Sequence, residues 1–293
     1  MTTHPPTSAH KVTLRSLPDR DELLRASLGE SGRARLLSQR CAEARAQDSP
    51  GQDVARVTYD PAARALSFCV ADGVGSSYRG DIAASALATN LFGWLSALAS
   101  PLPARDPARD ALESRLSEWA APAQAEMVAL PIARGTPGLV REVLEELRDS
   151  YGGETVFLAG RLLLPESTTA TAGGESAEAL LCWMGNITLR YQSAGGSWTI
   201  PHSDDDSARW STLRGPRGAV NVRRLSLALP LRLIVHSDGA NALGPEIARL
   251  TDDDLRARAA ALLATPTSDD VTILDLEWTQ PTTTSDARKR DEP

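Results

Sequence analysis

Strand-like segments come in two batches with helical periodicity between them, and that order limits the possible folds more than any other feature of the sequence. The first batch is "VARVTYDPAARALSFCVAD", in which Val, Thr, Tyr and Phe recur on either side of the turn pair Asp60-Pro61. It reads as a β-hairpin ending at Asp72. From Asp81 the run "DIAASALATNLFGWLSALAS" places Ile82, Ala86, Leu91, Leu95 and Leu98 at roughly helical spacing. A second helix is predicted from Asp106 to about Val128 and a third from Pro137 to Tyr151, closed by Gly152-Gly153. Leu139, Val143, Leu147 and Tyr151 form one apolar stripe on that third helix. Strands then return as "TVFLAGRLLL", "ALLCWM" and "ITLRYQ", a meander turning at Gly185-Asn186, and later as "LRLIVHSDG" and "DDVTILDLEW". Between the last two, "TDDDLRARAAALLA" reads as a helix with Thr251 as its N-cap. Batches of strands separated by helices imply an α+β domain rather than alternating βαβ units.

The ends, residues 1–20 and 280–293, are polar and contain proline. They read as loose tails on one domain spanning 21–279. Two polar stretches interrupt the second strand batch. Pro165–Glu178 reads as an exposed loop, and "HSDDDSARWSTLRGPRG" at 202–218 as a long loop or lid.

Composition removes several classes of function. A formal charge of −7 argues against a general nucleic-acid binder, which would show a basic stripe for phosphates. Cys41, Cys69 and Cys182 have no metal-binding spacing, and an odd number fits reduced thiols and a reducing, cytoplasmic compartment. The first residues lack the apolar core of a signal peptide, and no run of about 18 apolar residues occurs, so neither export nor membrane spanning is expected. There is no Walker-type or Rossmann fingerprint. The tryptophans, Trp94, Trp119 and Trp183 among them, lie in apolar surroundings and read as packing residues. His236 reads as a packed or hydrogen-bonded side chain, and His202 with Asp204, Asp205 and Asp206 as a solvated polar loop.

Aspartates at strand ends carry the chemistry. Asp72 follows "LSFCVA", Asp238 follows "LRLIVHS", Asp269 precedes "VTILDLEW", and Asp53 precedes the first hairpin strand. Carboxylates gathered in one place repel one another and lose hydration, so a set of them calls for a compensating cation. Hard ions such as Mg²⁺ and Mn²⁺ prefer carboxylate and carbonyl oxygen. Gly73 and Gly75, which carry no Cβ, would let backbone approach such an ion.

Six short motifs, in order, resemble those of the metal-dependent protein phosphatases, the type 2C family, in a bacterial-like form. "GQD" at 51–53 is similar to the opening acidic motif, "DGVGSSYRGD" at 72–81 to Asp-Gly-x-Gly-Gly-His-x-x-Gly-Glu, and "GGETV" at 152–156 to the Gly-x-Thr strand. "MGNI" at 184–187 stands where the family has Gly-Asp-Ser, "HSDGANAL" at 236–243 resembles Ser-Asp-Gly, and "DDVTILDL" at 269–276 the closing strand. The resemblance implies a four-layer αββα sandwich, two antiparallel sheets flanked by helices, with a binuclear site for two Mn²⁺ or Mg²⁺ ions at one edge. By that resemblance Asp72 would bridge the ions, Gly73 would offer its carbonyl to one, Asp238 and Asp269 would hold the other, and Asp53 would bind directly or through water.

The activity implied is hydrolysis of phosphoserine and phosphothreonine in proteins by a metal-activated water. An opposing Ser/Thr kinase and a monomeric state are expected with it. The alternative is a phosphatase-like module that binds phosphoproteins without turnover. Departures from the motifs bear on that choice. Gln52 replaces a Glu, Ser77 stands where many members have a His, and Asn186 replaces the aspartate linked to an additional metal. Asp48 occupies the place of the family's phosphate-binding arginine, which leaves Arg45 as the nearest substitute.

Overall fold

The computed structural model of the protein describes residues 10–165, 175–200 and 207–279. In chain order the first elements are β1 (Val12–Arg15), β2 (Glu22–Ser27), β3 (Gly32–Gln39), the short helix α1 (Ala42–Ala46), β4 (Val54–Asp60) and β5 (Ala65–Gly73). Three helices follow, α2 (Gly80–Ala97), α3 (Arg105–Ala129) and α4 (Gly138–Ser150). Then come β6 (Glu154–Leu163), β7 (Ser176–Met184), β8 (Thr188–Ser193), β9 (Gly196–Ile200), β10 (Arg209–Ser211), β11 (Gly215–Arg217), β12 (Asn221–Ala228) and β13 (Leu231–His236). A 3₁₀ segment (Asp238–Arg249), α5 (Asp252–Leu262) and β14 (Val271–Trp278) complete the domain.

Two antiparallel sheets stack face to face, as the α+β sandwich expectation requires. The first runs β1-β4-β5-β6 and then divides, because the start of β6 pairs with β10 and its remainder with β7. The second runs β2-β3-β14-β13-β8-β9. Strand β5 explains how the layers hold together. All its residues are buried, and their alternation sends Leu66, Phe68 and Val70 into the core between the sheets and Cys69 and Ala71 into the core beneath the helices. Helix α2 presses Ala84, Leu87, Ala88, Leu91 and Leu95 onto that outer face, and α3 adds Leu112 and Leu116. On the other side, α5 and the 3₁₀ segment cover Leu37, Ile234 and Ile273 of the second sheet. Thr251 caps α5 as its sequence predicts, its hydroxyl accepting from the Asp254 amide.

Three expectations need correction. The N-terminal tail ends earlier than residue 20: Val12 to Arg15 pair with Tyr59 to Arg56, and Leu14 is drawn into the inter-sheet core. β8 does not continue the β6-β7 meander. After the Gly185 turn the chain crosses to the other sheet, where β8 pairs with β13 and β9. A two-residue turn looks alike in sequence whether the next strand folds back or crosses over. The described part of 202–218 is a hairpin rather than a loop, anchored by Trp210, which is fully buried and donates from Nε1 to the Leu116 carbonyl at 2.7 Å. Helix α4 forms as expected and has no fully buried residue. Its stripe is amphipathic, but Leu139 is 75% exposed and Val143 and Tyr151 are each 48% exposed.

Trp94, Trp119 and Trp183 pack against the cores as expected. His202, Asp204, Asp205, Asp206, the middle of the Pro165–Glu178 loop and the C-terminal tail lie outside the described residues. Among the described residues no helix is long and apolar enough to cross a membrane.

Candidate metal centre

Antiparallel pairing places the start of one strand beside the end of its neighbour, and the sandwich does this twice at the same edge. In the first sheet Val54 lies opposite Ala71, so Asp53, just before β4, stands next to Asp72 in β5. In the second, His236 lies opposite Ile273, so Asp238, just beyond β13, stands near Asp269, just before β14. Each sheet thus delivers two carboxylates. Burial, and then the negative charges of Asp53, Asp238 and Asp269, raise the Asp72 carboxyl well above the usual carboxylate range. Burial and the charge of Asp270 do the same to Asp53, partly opposed by a hydrogen bond from Ser237. Asp269, exposed at the surface, is raised by partial desolvation and by the charge of Asp238. The four aspartates singled out in the sequence therefore act on one another in the folded chain.

Their immediate contacts fix where the carboxylates point. Ser237 Oγ donates to Asp53 Oδ2 at 2.7 Å, and Asn186 Nδ2 donates to Asp238 Oδ2 at 2.9 Å. The second oxygens, Asp53 Oδ1 and Asp238 Oδ1, are buried and accept no hydrogen bond among the described residues. Buried carboxylate oxygens without donors are costly and call for an explanation. Thr155 Oγ1 donates to the Asp72 carbonyl at 2.6 Å and holds the end of β5. Two glycines are required by close approach. A Cβ on Gly73 would stand 2.5 Å from the Gly80 carbonyl group, where the first turn of α2 meets the loop, and a Cβ on Gly239 would run into the Asp270 carbonyl.

Buried Asp53 and Asp72 beside half-buried Asp238 and exposed Asp269, mutually repelling and partly without hydrogen-bond donors, fit a hard divalent cation chemically. The side chains are not drawn into a finished ligand shell. Among the described residues, no three His, Cys, Asp or Glu side chains are arranged to hold an ion as they stand.

The departures noted in the sequence also find their places. Ser77 Oγ donates to the Val74 carbonyl at 2.7 Å and accepts from the Glu154 amide at 3.0 Å, so it braces the loop after Asp72. His236 is buried with Nδ1 3.0 Å from the Ser237 carbonyl oxygen, in keeping with a packed side chain. Arg45 is turned towards α5, its guanidinium donating to the Leu263 carbonyl at 3.1 Å. No hydrogen bond or ion pair joins it to the aspartates among the described residues.

Two residues were missed in the sequence. Asp270 is 3% exposed and accepts from the amides of Cys41 at 2.6 Å and of Gln52, so it staples the loop that carries Asp53. The signal was the Asp269-Asp270 pair itself, since successive residues entering a strand face opposite ways. Arg40, directly after β3, packs its stem beside Gly51 and Asp270, and its guanidinium reaches the Ser49 carbonyl at 3.2 Å. It was hidden because α1 lies between it and Asp53.

Neither a family model nor a curated relative matches the sequence. Solved structures do match in fold. The chain is similar to RsbX in complex with magnesium, with a TM-score of 0.52 at 14% identity over 88% of this chain and 100% of that one. It is also similar to a bacterial serine phosphatase, with a TM-score of 0.50 at 13% identity over 85% of this chain and 99% of that one. A third is serine/threonine phosphatase Stp1 from Staphylococcus aureus, with a TM-score of 0.50 at 13% identity over 87% of this chain and 98% of that one. The protein has the fold of the bacterial serine/threonine phosphatases of the metal-dependent, type 2C kind.

Proposed function

We infer that the protein is a metal-dependent phosphatase acting on phosphoserine and phosphothreonine in proteins. The observation that carries this reading is the convergence of Asp53, Asp72, Asp238 and Asp269 from both sheets, with the unsatisfied oxygens Asp53 Oδ1 and Asp238 Oδ1 among them. Two Mn²⁺ or Mg²⁺ ions would be held by Asp72, the Gly73 carbonyl, Asp238 and Asp269, with Asp53 bound directly or through water. When bound, such ions neutralise phosphoryl oxygens and make water nucleophilic at neutral pH. The rest is done by this chain's own residues. Ser237 orients Asp53, Asn186 orients Asp238, and Asp270 fixes the Gln52 and Asp53 main chain.

Arg45 is tied to the Leu263 carbonyl, and Arg40 is paired with Asp21 at 3.4 Å and Asp48 at 3.8 Å, so either would have to leave its present partners to bind the substrate phosphate. The reading brings with it an opposing Ser/Thr kinase and a monomer in a reducing, cytoplasmic setting, where buried Cys69 and Cys182 stay free thiols. The absence of a finished ligand shell among the described residues favours a second reading, a phosphatase-like module that binds phosphoproteins without hydrolysing them.

Hydrolysis of p-nitrophenyl phosphate and a phosphothreonine peptide, with Mn²⁺, with Mg²⁺ and with chelator, separates the two. Metal-dependent turnover lost in both Asp72→Ala and Asp238→Ala supports the phosphatase. A folded wild type that binds the phosphopeptide without turnover in either metal supports the module.

A further inference from the structure

The large apolar side chains left exposed among the described residues are not scattered. Leu139, Val140, Val143 and Tyr151 belong to α4 and its end, Val128 and Leu130 to the end of α3, and Leu213 to the turn between β10 and β11. These elements form one flank. Gln124 of α3 donates to the Arg148 carbonyl and accepts from the Thr212 hydroxyl, and Ser211 Oγ donates to the Tyr151 carbonyl. Concentrated exposed apolar surface marks an interaction site.

The same flank borders the candidate centre. A groove of about 460 Å³ has Val143, Leu147 and Tyr151 on one wall and Ser76 and Ser77, four and five residues beyond Asp72, on the other. Its floor carries Glu154, gripped on each oxygen by a separate guanidinium, Arg209 at 3.2 Å and Arg217 at 2.5 Å. Two arginines on one carboxylate leave positive charge on that side, while Glu146 stands on the α4 wall. The main chain ties the groove to the catalytic loop, since the Val74 amide donates to the Glu154 carbonyl at 2.9 Å and the Tyr78 amide to the Gly152 carbonyl at 3.1 Å.

We propose that this groove is a specificity subsite for the phosphoprotein substrate: it takes a large apolar side chain close in sequence to the phosphorylated residue, on the α4 wall, with an acidic neighbour on the arginine side. This rests on the phosphatase reading above. The occupant follows from continuity with the loop that carries Asp72 and from charge, because a phosphoprotein segment brings its negative charge to Arg209 and Arg217. Helix α4 keeps its apolar stripe uncovered because the substrate, not the protein's own core, buries it.

The test uses phosphothreonine nonapeptides of glycine and serine, with leucine walked through each flanking position and glutamate or lysine placed beside it. With Mn²⁺, leucine at one or two positions should raise kcat/KM about tenfold, the worth of burying one such side chain. Val143→Asp, at an exposed position, should remove that gain while p-nitrophenyl phosphate is hydrolysed as by wild type. Arg217→Gln should remove the preference for glutamate over lysine. Fluorescence anisotropy of the labelled leucine peptide, in chelator as well as in Mn²⁺, reads the groove without turnover. Normal p-nitrophenyl phosphate hydrolysis with no leucine effect at any position overturns the groove and leaves the phosphatase standing. Leucine-dependent binding that Val143→Asp weakens, without hydrolysis of any substrate, keeps the groove and overturns the phosphatase. Neither binding nor hydrolysis overturns both.

Discussion

Replacing Asp72 by asparagine should stabilise the metal-free protein and remove its stabilisation by manganese. The side chain is 7% exposed and stands among Asp53, Asp238 and Asp269, with burial and these three charges all disfavouring its ionised form. An amide has nearly the same shape, carries no charge, and can donate a hydrogen bond to a neighbouring carboxylate that now lacks one. Removing one charge from a buried, repelling set is worth about 1–3 kcal/mol. In a domain of this size each kcal/mol moves the melting temperature by about 2–4 °C, so a rise of roughly 2–12 °C is expected in chelator at pH 7.5. Manganese should reverse the order. At 100 times its dissociation constant an ion binding only the folded wild type adds about 2.7 kcal/mol, and the variant, with one carboxylate of the set gone, gains little. Thermal melts followed by circular dichroism, with chelator and across a manganese titration, give both numbers. A metal-free variant that melts below wild type, or equal stabilisation of both proteins by manganese, would refute the reasoning that these carboxylates are an unfavourable set held for a cation.

The same carboxylates set a pH dependence. Asp53, Asp72 and Asp269 are raised in the fold, so the folded chain holds more protons than the unfolded one above about pH 4. Their stabilisation is complete below that pH and is lost as pH rises through the raised values. Asp60 and Asp252, which are lowered, act only on the acid side of that window. The melting temperature in chelator should therefore fall between pH 5 and pH 8, and a rise would contradict the assignment. Asp275, 5% exposed, accepts from both Arg35 and Arg232 at 2.7 Å; Arg35 keeps Asp252 and two carbonyls, so Asp275→Ala takes the carboxylate from Arg232 alone and should cost about 1–3 kcal/mol in urea unfolding. Trp210→Ala removes a fully buried ring and its bond to the Leu116 carbonyl, and should cost about 3–5 kcal/mol by the same measurement.

What could be read from the sequence followed from local rules. The β4-β5 hairpin showed because alternation flanks a turn pair, and α5 because Thr251 starts it. The aspartates showed because strand ends are visible in sequence even when the pairing of strands is not. The rest depended on tertiary context. The edge strands β1 and β2 are short and only half apolar, and the three-residue strands β10 and β11 are below the length at which a period can be seen. The crossing at Gly185 depends on space rather than pattern: its φ of +82°, and Val156, into which a Cβ there would run, require a glycine where the chain turns towards the other sheet. Helix α4 shows a different limit. Periodicity reports that a helix has an apolar side, not that the same chain covers it. Arg40 and Asp270 needed the fold itself, since both act on the loop at Asp53 from distant or interrupted positions.

Asp53 and Asp72 hang from one sheet and Asp238 and Asp269 from the other. Neither sheet alone owns a centre. A cation bound there would work as a latch at the rim of the sandwich, drawing together two layers that the carboxylates push apart. A nascent chain with only one sheet formed would have half a latch and no hold on the ion. Binding would then reward only the closed domain, so the electrostatic burden of the four carboxylates would also serve as an assembly check, met when, and only when, both sheets are in place.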